Sequence, residues 1–121
     1  MKKENETVGS IDTILGQGII FKGELKGDGN IKIDGQFNGR LEAMGDVYIG
    51  KSAEIIGDCH VGNIVIGGKI KGNVVAQKRV EILPSGELYG DILSPRICIA
   101  DGVVFEGNCK TLKESNARDI Q

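Results

Sequence analysis

Phe37-Asn38-Gly39-Arg40-Leu41 is followed 18 residues later by Ile55-Ile56-Gly57-Asp58-Cys59. The same unit, apolar, any, Gly, any, small apolar, returns as Phe21-Lys22-Gly23-Glu24-Leu25 and Ile70-Lys71-Gly72-Asn73-Val74. Two further copies are Leu88-Tyr89-Gly90-Asp91-Ile92 and Phe105-Glu106-Gly107-Asn108-Cys109. Successive glycines are 16, 18, 15, 18 and 17 residues apart. A fixed repeat of this kind decides the architecture before any single motif does.

A second element lies between these units: Ile31-Lys32-Ile33, Val47-Tyr48-Ile49, Ile64-Val65-Ile66, Val80-Glu81-Ile82 and Ile97-Cys98-Ile99. Both elements alternate apolar with variable residues, the period of a half-buried strand. A repeat of about 17 residues is too short for a strand plus a packed helix. It suits one rung of a coil made of three short strands and three turns. Rungs stacked about 4.8 Å apart would make a rod roughly 25–30 Å long from about six of them. Parallel crossovers favour a right hand. The expected fold is therefore all-β, a right-handed parallel β-helix of about six rungs with three short strands each.

In such a coil the inward positions form a core ladder. The expected members are Leu25, Ile31, Ile33, Phe37, Leu41, Val47, Ile49, Ile55, Ile64 and Ile66, then Ile70, Val74, Val80, Ile82, Leu88, Ile92, Ile97 and Ile99. Corners fall at Asp34-Gly35, Ser52-Ala53, Gly67-Gly68, Pro84-Ser85-Gly86 and Asp101-Gly102, where Gly allows positive φ and Asp or Ser bonds its own backbone. The glycine inside each strand unit marks a bend from one face to the next. The repeat runs from about Gly18 to Cys109, so the expected division is a tail at 1–15, a β-helix at 16–109 and a tail at 110–121. Both tails read as disordered.

Composition agrees with this reading. The 121 residues carry 19 Gly, no Trp and only five Phe plus Tyr, so repetition of Ile, Val and Leu must supply the core. The net charge of −2 gives no electrostatic reason to expect nucleic acid. No apolar run reaches the roughly 18 residues of a membrane span. The N-terminal MKKENETVGS lacks the apolar stretch of a secretory leader. Cys59, Cys98 and Cys109 form an odd set without a CxxC pair and read as reduced thiols of a cytoplasmic protein.

Chemistry-bearing motifs are few. Gly45-Asp46-Val47-Tyr48-Ile49-Gly50-Lys51-Ser52 fits the phosphate-binding pattern G-x-x-x-x-G-K-[ST]. Val47 and Ile49 belong to the strand repeat, however, and no helical pattern follows Ser52, so nucleotide binding is not expected. His60 is the single histidine and has no partners at metal-ligand spacing. Cys59 and Cys109 share a repeat position three rungs apart and read as small core residues. Cys98 falls on an outward position without a base beside it. No catalytic, cofactor or metal site is expected. Outward positions carry Lys22, Glu24, Lys32, Arg40, Asp58, Lys71, Glu81, Asp91 and Glu106, a solvated mixture of charge. Tyr48, Ile56, Val65 and Tyr89 are apolar or amphipathic at outward sites, as scattered surface residues commonly are.

The ends of the rod point to function. A first and a last rung expose unpaired N–H and C=O groups, which invite another chain, and solenoids usually cover them. Here Ile19, Ile20 and Phe21 occupy the first rung and Val103, Val104 and Phe105 the last, with no polar cap evident. These six residues are the expected polymer interface. Like ends meeting like ends would give an open-ended chain without polarity.

The stretches IDTILGQGIIFKGELKGDGNIKIDGQFNGRL, LPSGELYGDI and GVVFEGNC resemble the bactofilins, bacterial polymer-forming cytoskeletal proteins, over residues 11–109. The resemblance implies a right-handed β-helical core with disordered tails and nucleotide-independent, non-polar filaments. It implies a polymerisation role for Phe105. It also implies scaffolding of cell-wall enzymes or cell-shape factors as clients. Many members carry an N-terminal membrane-targeting segment, a pattern from which the charged MKKENE departs, so any membrane association is expected to be peripheral. The competing enzyme reading is a left-handed hexapeptide-type acyltransferase. Strict steps of six and a histidine base define that class, and spacings of 15 to 18 with a solitary His60 do not fit it. An ice-binding solenoid would need threonine ladders, and Thr7, Thr13 and Thr111 lie outside the repeat.

Overall fold

A strand of three residues has too little surface to hold itself in place, so short strands persist only by pairing above and below. That is what the computed structural model, which describes residues 13–111, displays. The elements are β1 (Thr13–Leu15), β2 (Ile20–Gly27), β3 (Ile31–Ile33), β4 (Gln36–Ile49), β5 (Glu54–Ile56), β6 (Cys59–Ile66) and β7 (Lys69–Lys71). They continue as β8 (Val74–Ile82), β9 (Glu87–Tyr89), β10 (Ile92–Ser94), β11 (Ile97–Ile99), β12 (Val104–Glu106) and β13 (Cys109–Thr111). Every pair is parallel. The chain winds as a β-solenoid of about six turns with no helix among the described residues.

The register assigns each repeat residue to a column along one of three faces. Face A carries the inward column Phe21, Phe37, Ile55, Ile70, Leu88, Phe105. Face B carries Leu25, Leu41, Cys59, Val74, Ile92, Cys109. Face C carries Ile31, Val47, Ile64, Val80, Ile97, with Thr13 below Ile31. The uneven spacing of the sequence repeat is absorbed at the corners. Between faces B and C, Met44 and Gly45 stand where the next rung has only Gly62 and the following one Gln77 and Lys78.

Columns and corners depend on glycine where faces A and B meet. Gly39, Gly57, Gly72, Gly90 and Gly107 all have φ between +137° and +148°. A Cβ on any of them would land on the carbonyl of the glycine one rung below. Positive φ and backbone contact together leave only Gly acceptable in this column.

Of the core ladder expected from the sequence, the members from Ile31 to Ile92 are buried. Three are corrected. Leu25 and Ile97 pack against the core but are only half-buried, and Ile99 is 45% exposed, because each lies in a terminal rung with nothing stacked beyond it among the described residues. Cys109 is exposed for the same reason, whereas Cys59 in the same column is buried. Another inward column was not anticipated: Gly27, Ala43, Val61, Ala76, Ser94 and Thr111 on face B, with Ala43, Val61 and Ala76 fully buried. The expected boundaries of the solenoid also move outward. Thr13–Leu15 pair with β3, and Lys110 and Thr111 belong to β13. The remaining residues of both expected tails lie outside the described residues.

Candidate functional site

The two end rungs differ from the four between them in chemistry as well as position. Consider the corner column that precedes face A: Ile19, Gly35, Ala53, Gly68, Gly86, Val103. Its register is set by backbone bonds in which the N–H groups of Gln36, Glu54, Lys69, Glu87 and Val104 donate to Ile19, Gly35, Ala53, Gly68 and Gly86 respectively, at 2.8–3.3 Å. In the interior rungs this column holds only Gly or Ala. A Cβ on Gly35 would meet the carbonyls of Ile19 and Gly16, and one on Gly68 those of Gly50 and Ala53. Large β-branched residues stand only at the two ends, as Ile19 (48% exposed) and Val103 (half-buried).

The next column repeats the contrast on the outer side of face A. It reads Ile20, Gln36, Glu54, Lys69, Glu87, Val104, apolar at both ends and polar between. Phe21 and Phe105 then close the inward column. Each terminal rung thus carries a β-branched pair followed by Phe: Ile19-Ile20-Phe21 at one end, Val103-Val104-Phe105 at the other.

The six expected interface residues are therefore gathered in two clusters at opposite ends of the rod. Phe21 and Phe105 pack against the core while remaining half-buried. The Phe21 ring stacks on Phe37 with centroids 4.9 Å apart and planes 6° from parallel. Ile20 and Val104 project sideways, so they rim the end faces without filling them. Sequence reasoning missed Leu15 at the N-terminal end, half-buried against the core. It also treated Ile97, Ile99 and Cys109 as interior when they belong to the C-terminal end. The sign that a residue is terminal was present in the repeat itself: these residues occupy the first or last copy of their columns.

Polar ladders climb the corners toward the C-terminal end. After Gly57, Gly72 and Gly90, the side chain of one rung accepts a backbone N–H of the next. Asn73 N–H donates to Asp58 Oδ1 at 3.3 Å, Asp91 N–H to Asn73 Oδ1 at 3.1 Å, and Asn108 N–H to Asp91 Oδ1 at 3.0 Å. At the corner between faces B and C, Asp46 N–H donates to Asn30 Oδ1 at 2.9 Å. These bonds satisfy amides that the sheet ladders leave out.

The remaining sequence candidates are scattered. Residues 45–49 of the phosphate-loop match run through β4. The N–H of Gly50 donates to Ile33 O at 2.8 Å, and Ser52 Oγ donates to Asp34 O at 3.0 Å, so these groups are already engaged within the solenoid. His60 sits half-buried on the outer side of face B, in register with Glu42 and Val75. Among the described residues no group of His, Cys, Asp and Glu is placed to hold a metal ion. Cys98 is exposed on the outer side of face C, with Arg79 Nη2 3.8 Å from its sulfur. The Cys59 thiol is pushed up to about 12, chiefly by burial and then by the charge of Asp58, which suits an inert core residue. Tyr48 and Ile56 are exposed apolar or amphipathic residues of the middle rungs. Tyr89 is half-buried and donates its hydroxyl to Glu87 Oε1 at 2.8 Å.

Comparison with known proteins agrees with this geometry. A family model described as "Bactofilin: Polymer-forming cytoskeletal" matches residues 13–110. Bactofilin BacO of Myxococcus xanthus is 35% identical over 105 residues, covering 87% of this chain and 83% of the relative. The fold matches a Thermus thermophilus bactofilin, solved by cryo-electron microscopy as double helical filaments, with a TM-score of 0.76 and 22% identity over 80% of this chain and 96% of that one. With a family match spanning the described solenoid, the chain belongs to the bactofilins, polymer-forming proteins of the cytoskeleton.

Proposed function

We propose that this chain assembles without nucleotide into non-polar filaments, through alternating contacts between like ends, and that the filaments scaffold cell-shape or cell-wall factors. The observation that carries the reading is the substitution of large apolar residues for Gly, Ala and polar residues at the two terminal rungs alone. Buried in a contact, each apolar side chain contributes on the order of 1.5–3 kcal/mol, and unpaired strand edges find partners at the same time. No chemical energy is needed when both terms already favour association. In this reading the protein has no catalytic role. The polymer is cytoplasmic, and any membrane contact is peripheral.

Phe105→Arg tests the reading, because an arginine in an apolar contact would lose its hydration without gaining a partner. In a filament of alternating contacts, blocking one end leaves the other intact, so Phe105→Arg should yield folded dimers joined at their N-terminal ends. Phe21→Arg should yield dimers joined at their C-terminal ends. A head-to-tail chain is the second reading, favoured by one observation: Lys22 and Glu106 end the same outer column at opposite ends. There either substitution alone gives monomers. Sedimentation separates the two, and unchanged filaments of Phe105→Arg by negative-stain microscopy would defeat both. For the scaffolding role, the test is cell shape in a strain carrying Phe105→Arg; normal shape there would remove that part of the proposal.

A further inference from the structure

The polar ladder beside the corner glycines ends abruptly. Asp58, Asn73 and Asp91 each spend a side-chain oxygen on the N–H of the rung above. Asn108 is the next member, and no rung lies above it among the described residues. Its own N–H is taken by Asp91, while its side chain has no partner among the described residues.

Two backbone donors beside it are stranded by the same logic. In the rungs below, the N–H groups of Gly57, Gly72 and Gly90 donate upward to the carbonyls of Lys71, Tyr89 and Glu106 at 2.8–2.9 Å. Those of Leu41, Cys59, Val74 and Ile92 donate upward to Asp58, Asn73, Asp91 and Asn108 at 2.8–3.0 Å. Gly107 and Cys109 are the last residues of these two columns, and no carbonyl among the described residues accepts their N–H groups. The C-terminal end therefore presents donor, side-chain acceptor, donor in the order Gly107, Asn108, Cys109. This corner adjoins Phe105, which lies two residues before Gly107.

We propose that Asn108 Oδ1 sets the register of the C-terminal end contact by accepting a backbone N–H from the neighbouring copy. Where the C-terminal end meets its like, the donor is the neighbour's Gly107 or Cys109. The apolar cluster attracts but does not direct, because hydrophobic association has no preferred angle. Hydrogen bonds between fixed backbone groups and a side chain supply the missing geometry. Closing the contact removes these groups from water, where any left unpaired weakens binding. Asn108 is a positioning residue, and the inference rests on the filament reading given above.

The test uses the full chain and measures the critical concentration for assembly by sedimentation. Asn108→Ala removes two such hydrogen bonds from each symmetric contact and should raise it about tenfold or more. Asn108→Asp keeps the oxygen, as Asp58 and Asp91 do in the ladder, and should return it to within about threefold of wild type at moderate salt. In the dispersed Phe105→Arg background, Asn108→Ala should leave the melting temperature unchanged, whereas Asn73→Ala, which removes an interior rung's bond, should lower it. Assembly of Asn108→Ala at the wild-type concentration overturns the proposal. So does an equal defect in the Ala and Asp variants, or a fall in melting temperature that accounts for the assembly loss. Failure of the wild-type chain to assemble, or intact filaments of Phe105→Arg, would instead refute the underlying filament reading.

Discussion

The interior rungs and the terminal rungs are built on one repeat and obey opposite constraints. In the interior, each residue is held from above and below. The corner glycines are compressed against backbone, the column before face A admits only Gly or Ala, and Phe37, Ile55, Ile70 and Leu88 are wholly buried. At the ends one neighbour is missing. Gly23 has open space where its Cβ would be, Ile19 and Val103 fit where larger residues are otherwise excluded, and Phe21 and Phe105 remain half-buried. Sequence variation within a solenoid column is thus a map of what lies next to it. In the proposed filament, the apolar replacements at Ile19, Ile20, Val103 and Val104 face a contact that the isolated chain does not make.

The largest expected effect comes from the glycine column. Gly72 combines φ of +148° with a Cβ position on the Gly57 carbonyl, so Gly72→Ala must both strain the backbone and push two rungs apart. It should cost more than about 4 kcal/mol, a large fraction of the stability of a domain this size. Gly23→Ala, at φ +133° but with nothing within 4 Å, should cost only about 1–2 kcal/mol of strain. Urea denaturation followed by circular dichroism measures both, and equal losses would erase the proposed distinction. A smaller contrast is expected from truncating the face A ladder. Leu88→Ala leaves a cavity in a fully buried site and should cost about 2–5 kcal/mol. Phe105→Ala should cost dispersed protein less than about 1.5 kcal/mol while impairing assembly, because its ring is already half in water. A Phe105→Ala chain as unstable as Leu88→Ala would mean that this phenylalanine serves the monomer.

How far the sequence could be read follows the same division. The Phe-x-Gly-x-Leu and Ile-x-Ile units announced the interior columns because alternation and period reinforced one another. The Gly27, Ala43, Val61, Ala76, Ser94, Thr111 column escaped notice because small and polar residues replace one another there without an apolar signal. β1 was missed because Thr13 stands in the slot that Ile31 and Val47 occupy later. Leu25, Ile97, Ile99 and Cys109 matched the inward pattern, but pattern alone does not say whether a rung has a neighbour. Ile19-Ile20-Phe21 and Val103-Val104-Phe105 stood out as apolar ends, yet only the register revealed that Ile20 and Val104 face sideways. The polar ladder was invisible because Asp58, Asn73, Asp91 and Asn108 look like ordinary turn residues until their oxygens are placed beside the next rung's amides.

A last contrast separates the two cysteines of one column. Cys59 lies in the interior, and its thiol is raised from near 9 to about 12 because burial opposes the thiolate and Asp58 repels it. Cys109, at the open end, is raised by desolvation as well, but it is exposed and carries no comparable stability term. In the unfolded chain both titrate near the ordinary thiol value. Above that value the unfolded state gives up its Cys59 proton while the folded state keeps it, so the unfolded state is favoured as pH rises. The stability tied to Cys59 is therefore fully present below about pH 9 and declines as pH climbs toward 12, with a limiting slope of about 1.4 kcal/mol per pH unit. Alkaline pH acts on more than this one thiol, so the measurement is a difference. Cys59→Val, which borrows the residue Val74 supplies one rung above, should lose less stability than wild type between pH 8 and 10.5 in dispersed protein. Cys109→Val should track wild type. Parallel curves for all three proteins would show that water reaches Cys59, and with it that the interior rungs are no better sealed than the ends.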